Sequence, residues 1–166
     1  HDTSALVASR RPHDDTGHVY AYSNASTVVR FTIATGVADS FAVAGGAVSE
    51  SRLSWDPTTG LLYAAPSFSA GNLISINPTT HAVVTLAPHP RAFMNDIYCG
   101  DRSGHIYAAG SAGGLEMWQY TISTNTWVRI PDLPFDHGNS GACTVTDNGF
   151  LWVTNGGGSF ARIPLL

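Results

Sequence analysis

The sequence predicts an all-β fold, a β-propeller of repeated four-stranded antiparallel blades, and three observations predict it. A unit made of a strand ending in Asp, a tight turn closing on Gly and an apolar strand occurs four times: HDDTGHVY at Gly17, WDPTTGLLY at Gly60, CGDRSGHIY at Gly104 and TDNGFLW at Gly149. The aromatic residues three places after these glycines, Tyr20, Tyr63, Tyr107 and Trp152, fall 43, 44 and 45 residues apart. A nearly constant period of this length marks a repeat architecture. Short runs of β-branched and aromatic residues, broken by Gly, Pro, Asn, Asp and Ser, leave no room for a helical period. A propeller buries both faces of each blade against its neighbours, which explains short apolar strands on a fixed period. A two-sheet sandwich would not require the same turn in every unit.

The units divide the chain at about 4–47, 48–90, 91–135 and 136–166, within one domain. In the first, strands are expected at 5–9, 18–22, 28–34 and 40–44, with Gly45-Gly46 crossing to the next unit. Ser9-Arg10 and Ser51-Arg52 hold nearly the same place before their turns, a second echo of the repeat. The second unit has expected strands at 51–55, 61–65, 72–77 and 82–86; its turns DPTTG and NPTTH carry side chains suited to Asx turns. Pro88 and Pro90 flank His89 in a segment read as a connector, because Pro has no amide hydrogen for a ladder. The third unit has strands at 93–99, 105–109, 115–122 and 126–130, and the fourth at 141–146, 150–154 and 160–164, one strand fewer.

Composition narrows the partners. Only 12% of residues are charged, against about 25% in typical globular chains. All eight basic residues are Arg, and the net charge of -4 gives no general attraction to nucleic acid or an anionic membrane, so neither is expected as a partner. No apolar run is long enough for a membrane-crossing helix. A start at His1 rather than Met reads as a processed chain or a fragment. With the sequon Asn24-Ala25-Ser26 between two expected strands, it points to a secreted glycoprotein.

The third unit resembles the kelch family of propellers. The residues that carry the likeness are Tyr120 and Trp127 in WQYTISTNTWVRIPDLP, then His137 and Gly138 in HGNSGACTV, within 104–146. The departures are the late placement of Gly113-Gly114, the lack of Tyr and Trp after Gly156-Gly157-Gly158, and the lack of a Trp in the first two units where Trp127 stands. The resemblance implies that Trp127 wedges between blades, and inter-blade packing is expected for Trp152 too. Kelch-like propellers commonly have six or seven blades, so four visible units imply a wide-wedged ring, part of a longer chain, or a half-ring completed by another chain. The last two are preferred, making self-association or a companion chain an expected partnership.

The chemistry is sparse. No HExxH, phosphate loop, GxSxG or EF-hand pattern occurs, and no cofactor is expected. The seven His are scattered; His18 and His105 follow equivalent turn glycines and read as repeated structural residues rather than metal ligands. His1 could chelate copper as a free N-terminus, but no further His is placed beside it. The copper radical oxidases built on kelch-like scaffolds need a crosslinked Tyr-Cys pair, and the cysteines here are better explained otherwise. Cys99 and Cys143 stand in the opening strands of successive units, either bridged or as two buried thiols, since a bridge needs Cα atoms within about 7 Å. Asp14, Asp15, Asp56, Asp101 and Asp147 belong to turns, whereas Asn95-Asp96 on an inner strand could hold Ca²⁺ or a sugar hydroxyl.

Loops at the two faces of such a ring suit binding. A sugar needs an aromatic plate beside planar polar groups, and the candidates are Arg52, Trp55, Asn95, Asp96, Tyr98 and Trp118. The expected function is a secreted binding propeller for a carbohydrate or protein ligand. The competing readings are a glycan-directed hydrolase or lyase, which needs paired carboxylates, and a structural assembly module.

Overall fold

The computed structural model describes residues 17–24, 26–43, 53–64, 71–91, 97–109, 114–136, 141–155 and 157–165. These form four antiparallel sheets, with no helix among the described residues. The first contains β1 (His18–Asn24), β2 (Thr27–Thr32) and β3 (Val37–Ala42). The second contains β4 (Leu53–Asp56), β5 (Leu61–Ala64), β6 (Asn72–Ile76) and β7 (Val83–Pro88). The third contains β8 (Tyr98–Gly100), β9 (His105–Ala109), β10 (Met117–Thr121) and β11 (Thr126–Ile130). The fourth contains β12 (Ala142–Thr146), β13 (Phe150–Thr154) and β14 (Phe160–Pro164). In every sheet the strands lie side by side in chain order, as in a blade.

The repeated turn does what its residues allow. Gly17, Gly60, Gly104 and Gly149 all have positive φ, from 67° to 100°, a region a side chain would strain. Before two of these glycines an Asp carboxylate ties the turn. Asp56 Oδ2 accepts from the Thr59 amide at 2.9 Å, and Asp101 Oδ1 accepts from the amides of Ser103 at 2.8 Å and His105 at 3.0 Å. These are the turn roles expected of Asp56 and Asp101; Asp14 and Asp15 lie outside the described residues.

Successive blades pack face to face through three apolar cores, governed by strand alternation. Tyr20, three residues after Gly17, enters the core shared with the second blade, where it meets Leu62 and Ile76. Tyr63 enters the next core with Ile106 and Tyr120. Tyr107 enters the third with Leu151 and Val153. The aromatic three places after the turn glycine thus faces the following blade. The aliphatic residue two places after it faces the preceding one. Leu62, Ile106 and Leu151 are all buried by this rule.

The inner strands are packed in series, β4 on β8 and β8 on β12, while β1 packs on β4. Gly100 of β8 permits the first of these approaches, since a Cβ there would collide with Ser54 Oγ. Cys99 and Cys143 are joined by a disulfide between β8 and β12, with Cα atoms 5.8 Å apart. That settles the choice left open by their spacing, in favour of the bridge.

The outer edges of the second and third blades are clamped by polar contacts. Asn125, in the β10–β11 turn with φ of 54°, accepts at Oδ1 from the Ala87 amide at 2.8 Å and the Tyr120 hydroxyl at 2.7 Å. The Trp127 indole donates to the Ala87 carbonyl at 3.3 Å. Trp127 is therefore inter-blade, as expected. Trp152 is only half-buried, because no described blade follows the fourth.

Several boundaries differ from expectation. The strand expected at 40–44 runs Val37–Ala42, because the turn after β2 closes tightly, with the Gly36 amide donating to the Thr32 carbonyl at 2.9 Å. Pro88, read as a connector, ends β7 opposite Asn72. It is tolerated there because β7 is the blade's outermost strand and needs no second set of amide donors. The expected strand at 5–9 lies outside the described residues. So do Ala25 of the sequon and His137-Gly138 of the kelch-like stretch.

Candidate functional site

The site begins from register. Tyr98 pairs with Ala108, Ala108 with Trp118 and Trp118 with Arg129, so these four form one lateral row on a single face of the third blade. Tyr98 and Ala108 are in the core shared with the second blade. Trp118 continues that row toward the outer edge and is half-buried. The His89 ring meets it edge-on at 6.1 Å between centroids, and meets Trp127 likewise at 4.5 Å.

A chain of alternating charges borders this aromatic floor. Arg91 donates from Nε to Glu116 Oε2 at 2.8 Å and from Nη2 to Oε1 at 3.1 Å, the two-pronged geometry that fits a guanidinium to a carboxylate. Arg129 Nη1 lies 3.8 Å from Glu116 Oε1, and its Nη2 donates to both Asp132 oxygens at 2.8 and 3.0 Å. The hydrogen bond from Arg91 is the main reason the Glu116 carboxyl is held below its ordinary range; desolvation opposes it, and the charges on Arg91 and Arg129 add to it. Glu116 is thus a fixed anion and a hydrogen-bond acceptor. The pairs are exposed, so they orient side chains more than they stabilise the fold.

His89 is the buried polar member, 3% exposed. Burial lowers its pKa to about 4, against smaller opposite pulls from the Arg91 backbone and Glu116. Nδ1 lies 2.7 Å from the Arg91 carbonyl oxygen, which fixes the ring relative to the loop carrying Arg91. The unfolded imidazole takes a proton near pH 6.5, whereas the folded one does so only near 4. The stability tied to neutral His89 is therefore complete above about pH 6.5 and is lost as pH falls toward 4, with a slope of at most about 1.4 kcal/mol per pH unit. Denaturant unfolding across this window should show the decline in the native chain and a flatter profile in His89→Asn. Equal slopes for the two would contradict it.

Of the six residues expected to bind ligand, Arg52, Asn95 and Asp96 lie outside the described residues. Tyr98 and Trp118 share a face and a row. Trp55 is elsewhere: it projects from β4 toward the first blade, against Tyr20 at 6.5 Å and 15° between planes. Its Nε1 is buried with no hydrogen-bond partner among the described residues. The residues missed from the sequence are His89, Arg91, Glu116, Arg129 and Asp132. Arg91 and Glu116 are 25 positions apart and meet only because the second and third blades pack. The one usable signal was the rarity of Glu, of which the chain has two.

No protein-family model and no curated protein matches this sequence. Solved structures do resemble it. An auxiliary nutrient binding protein from Bacteroides ovatus superposes with a TM-score of 0.69 at 9% identity, over 90% of this chain and 36% of that one. An auxiliary nutrient binding protein from Bacteroides thetaiotaomicron gives 0.64 at 10% identity, over 83% of this chain and 33% of that one.

The fold is shared. At such identity nothing more than the fold is shown, and this chain spans only about a third of the length of these nutrient-binding neighbours. In the described residues there is no cluster of three or more His, Cys, Asp or Glu able to hold a metal ion.

Proposed function

We propose that this chain is a ligand-binding β-propeller unit, kelch-like in its third blade, that takes a carbohydrate over Trp118. The observation that carries the reading is the row of Trp118 and Arg129 bordered by Glu116 and Arg91. An indole offers an apolar plate to the face of a pyranose, and fixed carboxylate and guanidinium groups match its hydroxyls. Glu116 is held ionised by its arginines, which suits an acceptor and not the proton-donating acid that glycoside hydrolysis needs. This favours binding over hydrolysis at the site. The nutrient-binding neighbours support a binding role. The kelch-like pair Tyr120 and Trp127 supports the family reading, since both join the clamp between blades.

The disulfide supports a secreted location, because such bridges persist in oxidising compartments. Completion of the ring by self-association or a companion chain belongs to the same reading.

Calorimetric titration against a panel of neutral and acidic soluble oligosaccharides tests it. At least one should bind, Trp118→Ala should weaken that binding at least about tenfold, or about 1.4 kcal/mol, and Trp118→Phe should retain most of it. No binding across the panel, or unchanged affinity in folded Trp118→Ala, would remove the proposal.

A further inference from the structure

The charged border of the Trp118 row is uneven. A guanidinium grips a carboxylate best with one edge, Nε and Nη2 together, because two parallel hydrogen bonds then meet two oxygens. Arg91 holds Glu116 in this way, at 2.8 and 3.1 Å. Arg30 holds Asp39 with the same two nitrogens on the first blade. Arg129 differs, since only its Nη2 reaches Asp132, at 2.8 Å to one oxygen and 3.0 Å to the other. Its Nε has no hydrogen-bond partner among the described residues, so the edge that Arg91 fills is half used on Arg129.

Glu116 does not complete that edge. Both of its oxygens are held by Arg91, and its Oε1 lies 3.8 Å from Arg129 Nη1, too far for a hydrogen bond. The Asp132 contact is easily exchanged. Both side chains are about half exposed, and exposed ion pairs contribute little to the fold. Asp132 also lies beyond the end of β11, so its carboxylate can turn away without disturbing a strand. Arg129 is the direct cross-strand partner of Trp118, and such partners have Cβ atoms about 4.5 to 5.5 Å apart on one face. A pyranose lying on the indole therefore brings the substituents at its rim against the guanidinium.

We infer, on the reading that Trp118 is the sugar platform, that the saccharide it takes is acidic, a uronic acid whose carboxylate occupies the Nε and Nη2 edge of Arg129 in place of Asp132. The C5 carboxylate of a uronic acid projects from the rim of the ring, beside the stacked face. It is planar and carries two oxygens, so it closes both prongs at once, the geometry that Arg91 already makes with Glu116. A neutral hexose has a hydroxymethyl group at that position and offers one oxygen, which leaves the guanidinium to Asp132. The exchange keeps the local charge balanced, since one carboxylate replaces another while Arg91 continues to neutralise Glu116. A net charge of -4 supplies no long-range attraction for an anion, so the preference comes from the fork itself. Asp132 is thus a stand-in for the ligand's carboxylate.

Calorimetric titration with trisaccharides of galacturonic, glucuronic and mannuronic acid, each beside its carboxyl-reduced neutral counterpart, provides the test. At least one acidic form should bind at least about tenfold more tightly than its counterpart. Arg129→Gln should erase that preference. Asp132→Asn should widen it about threefold or more, and the gain should persist at salt concentrations that screen long-range attraction. Equal affinities within every pair, with binding lost in Trp118→Ala, would overturn the acidic assignment and leave the Trp118 platform standing. Binding of no member of any pair would remove both. A preference that survives Arg129→Gln, or one that Asp132→Asn leaves unchanged or narrows, would show that the ligand's carboxylate does not take the place of Asp132.

Discussion

Removing the Cys99–Cys143 bridge, by reduction or by the double substitution Cys99→Ala and Cys143→Ala, is expected to lower the free energy of unfolding by about 4 kcal/mol. The bridge closes a loop spanning 44 residues, and the loop-entropy relation gives that magnitude for a loop of this size. Its position adds a second consequence. It ties inner strand β8 to inner strand β12, so it is the covalent link between the third and fourth blades apart from the chain itself. In a repeat architecture each unit is stabilised mainly by its neighbours. Reduction should therefore loosen the fourth blade first, and unfolding followed by a probe there should precede that of the second and third. Denaturant titration with and without reductant measures both effects. A loss below about 1 kcal/mol, far under the expected range, would show that blade packing alone holds this end.

Tyr120→Ala is expected to cost about 3 to 5 kcal/mol, the range for truncating a large buried aromatic residue. Tyr120 is 0% exposed and lies in the core between the second and third blades. Its hydroxyl is bonded to Asn125, which also holds the Ala87 amide. Burial raises its phenol pKa to about 12, with the nearby Tyr63 adding to the rise. Tyr120→Phe separates packing from the hydrogen bond and should cost only about 1 kcal/mol. Equal losses for the two variants would mean that the Asn125 clamp outweighs the core, contrary to the packing described.

The repeat was legible because one short pattern carries several constraints at once. A glycine at positive φ sets the turn, and strand alternation then sends the next two apolar side chains to opposite blades. Strands at His105–Ala109, Thr126–Ile130, Phe150–Thr154 and Phe160–Pro164 coincide with the runs read from the sequence. The boundary at Val37 was misplaced because any residue but Pro can follow so tight a turn, and its neighbours gave no apolar alternation. Pro88 was misread because Pro argues against a strand only where its amide is needed, and the sequence does not say which strand is outermost.

The binding surface was much less legible. Trp118 and Tyr98 were chosen as aromatic residues in strands, and only register shows that they lie in one row. Arg91, Glu116 and Arg129 form no local motif; they converge because two blades pack and two strands pair. Trp55 carried the same signal as Trp118, yet alternation on a different strand turned it toward the first blade. The disulfide was undecidable from spacing because a 44-residue separation fixes no distance between inner strands.

The claim on which the rest depends is that the aromatic residue three places after each of the first three turn glycines, Gly17, Gly60 and Gly104, is buried by the next blade. Hydroxyl-radical footprinting read by mass spectrometry tests it residue by residue. Tyr20, Tyr63 and Tyr107 should be protected well beyond a Tyr in an unfolded peptide, and Leu62, Ile106 and Leu151 should be protected with them. Modification of these tyrosines at the unfolded rate, in native protein with its disulfide intact, would contradict the blade-on-blade arrangement.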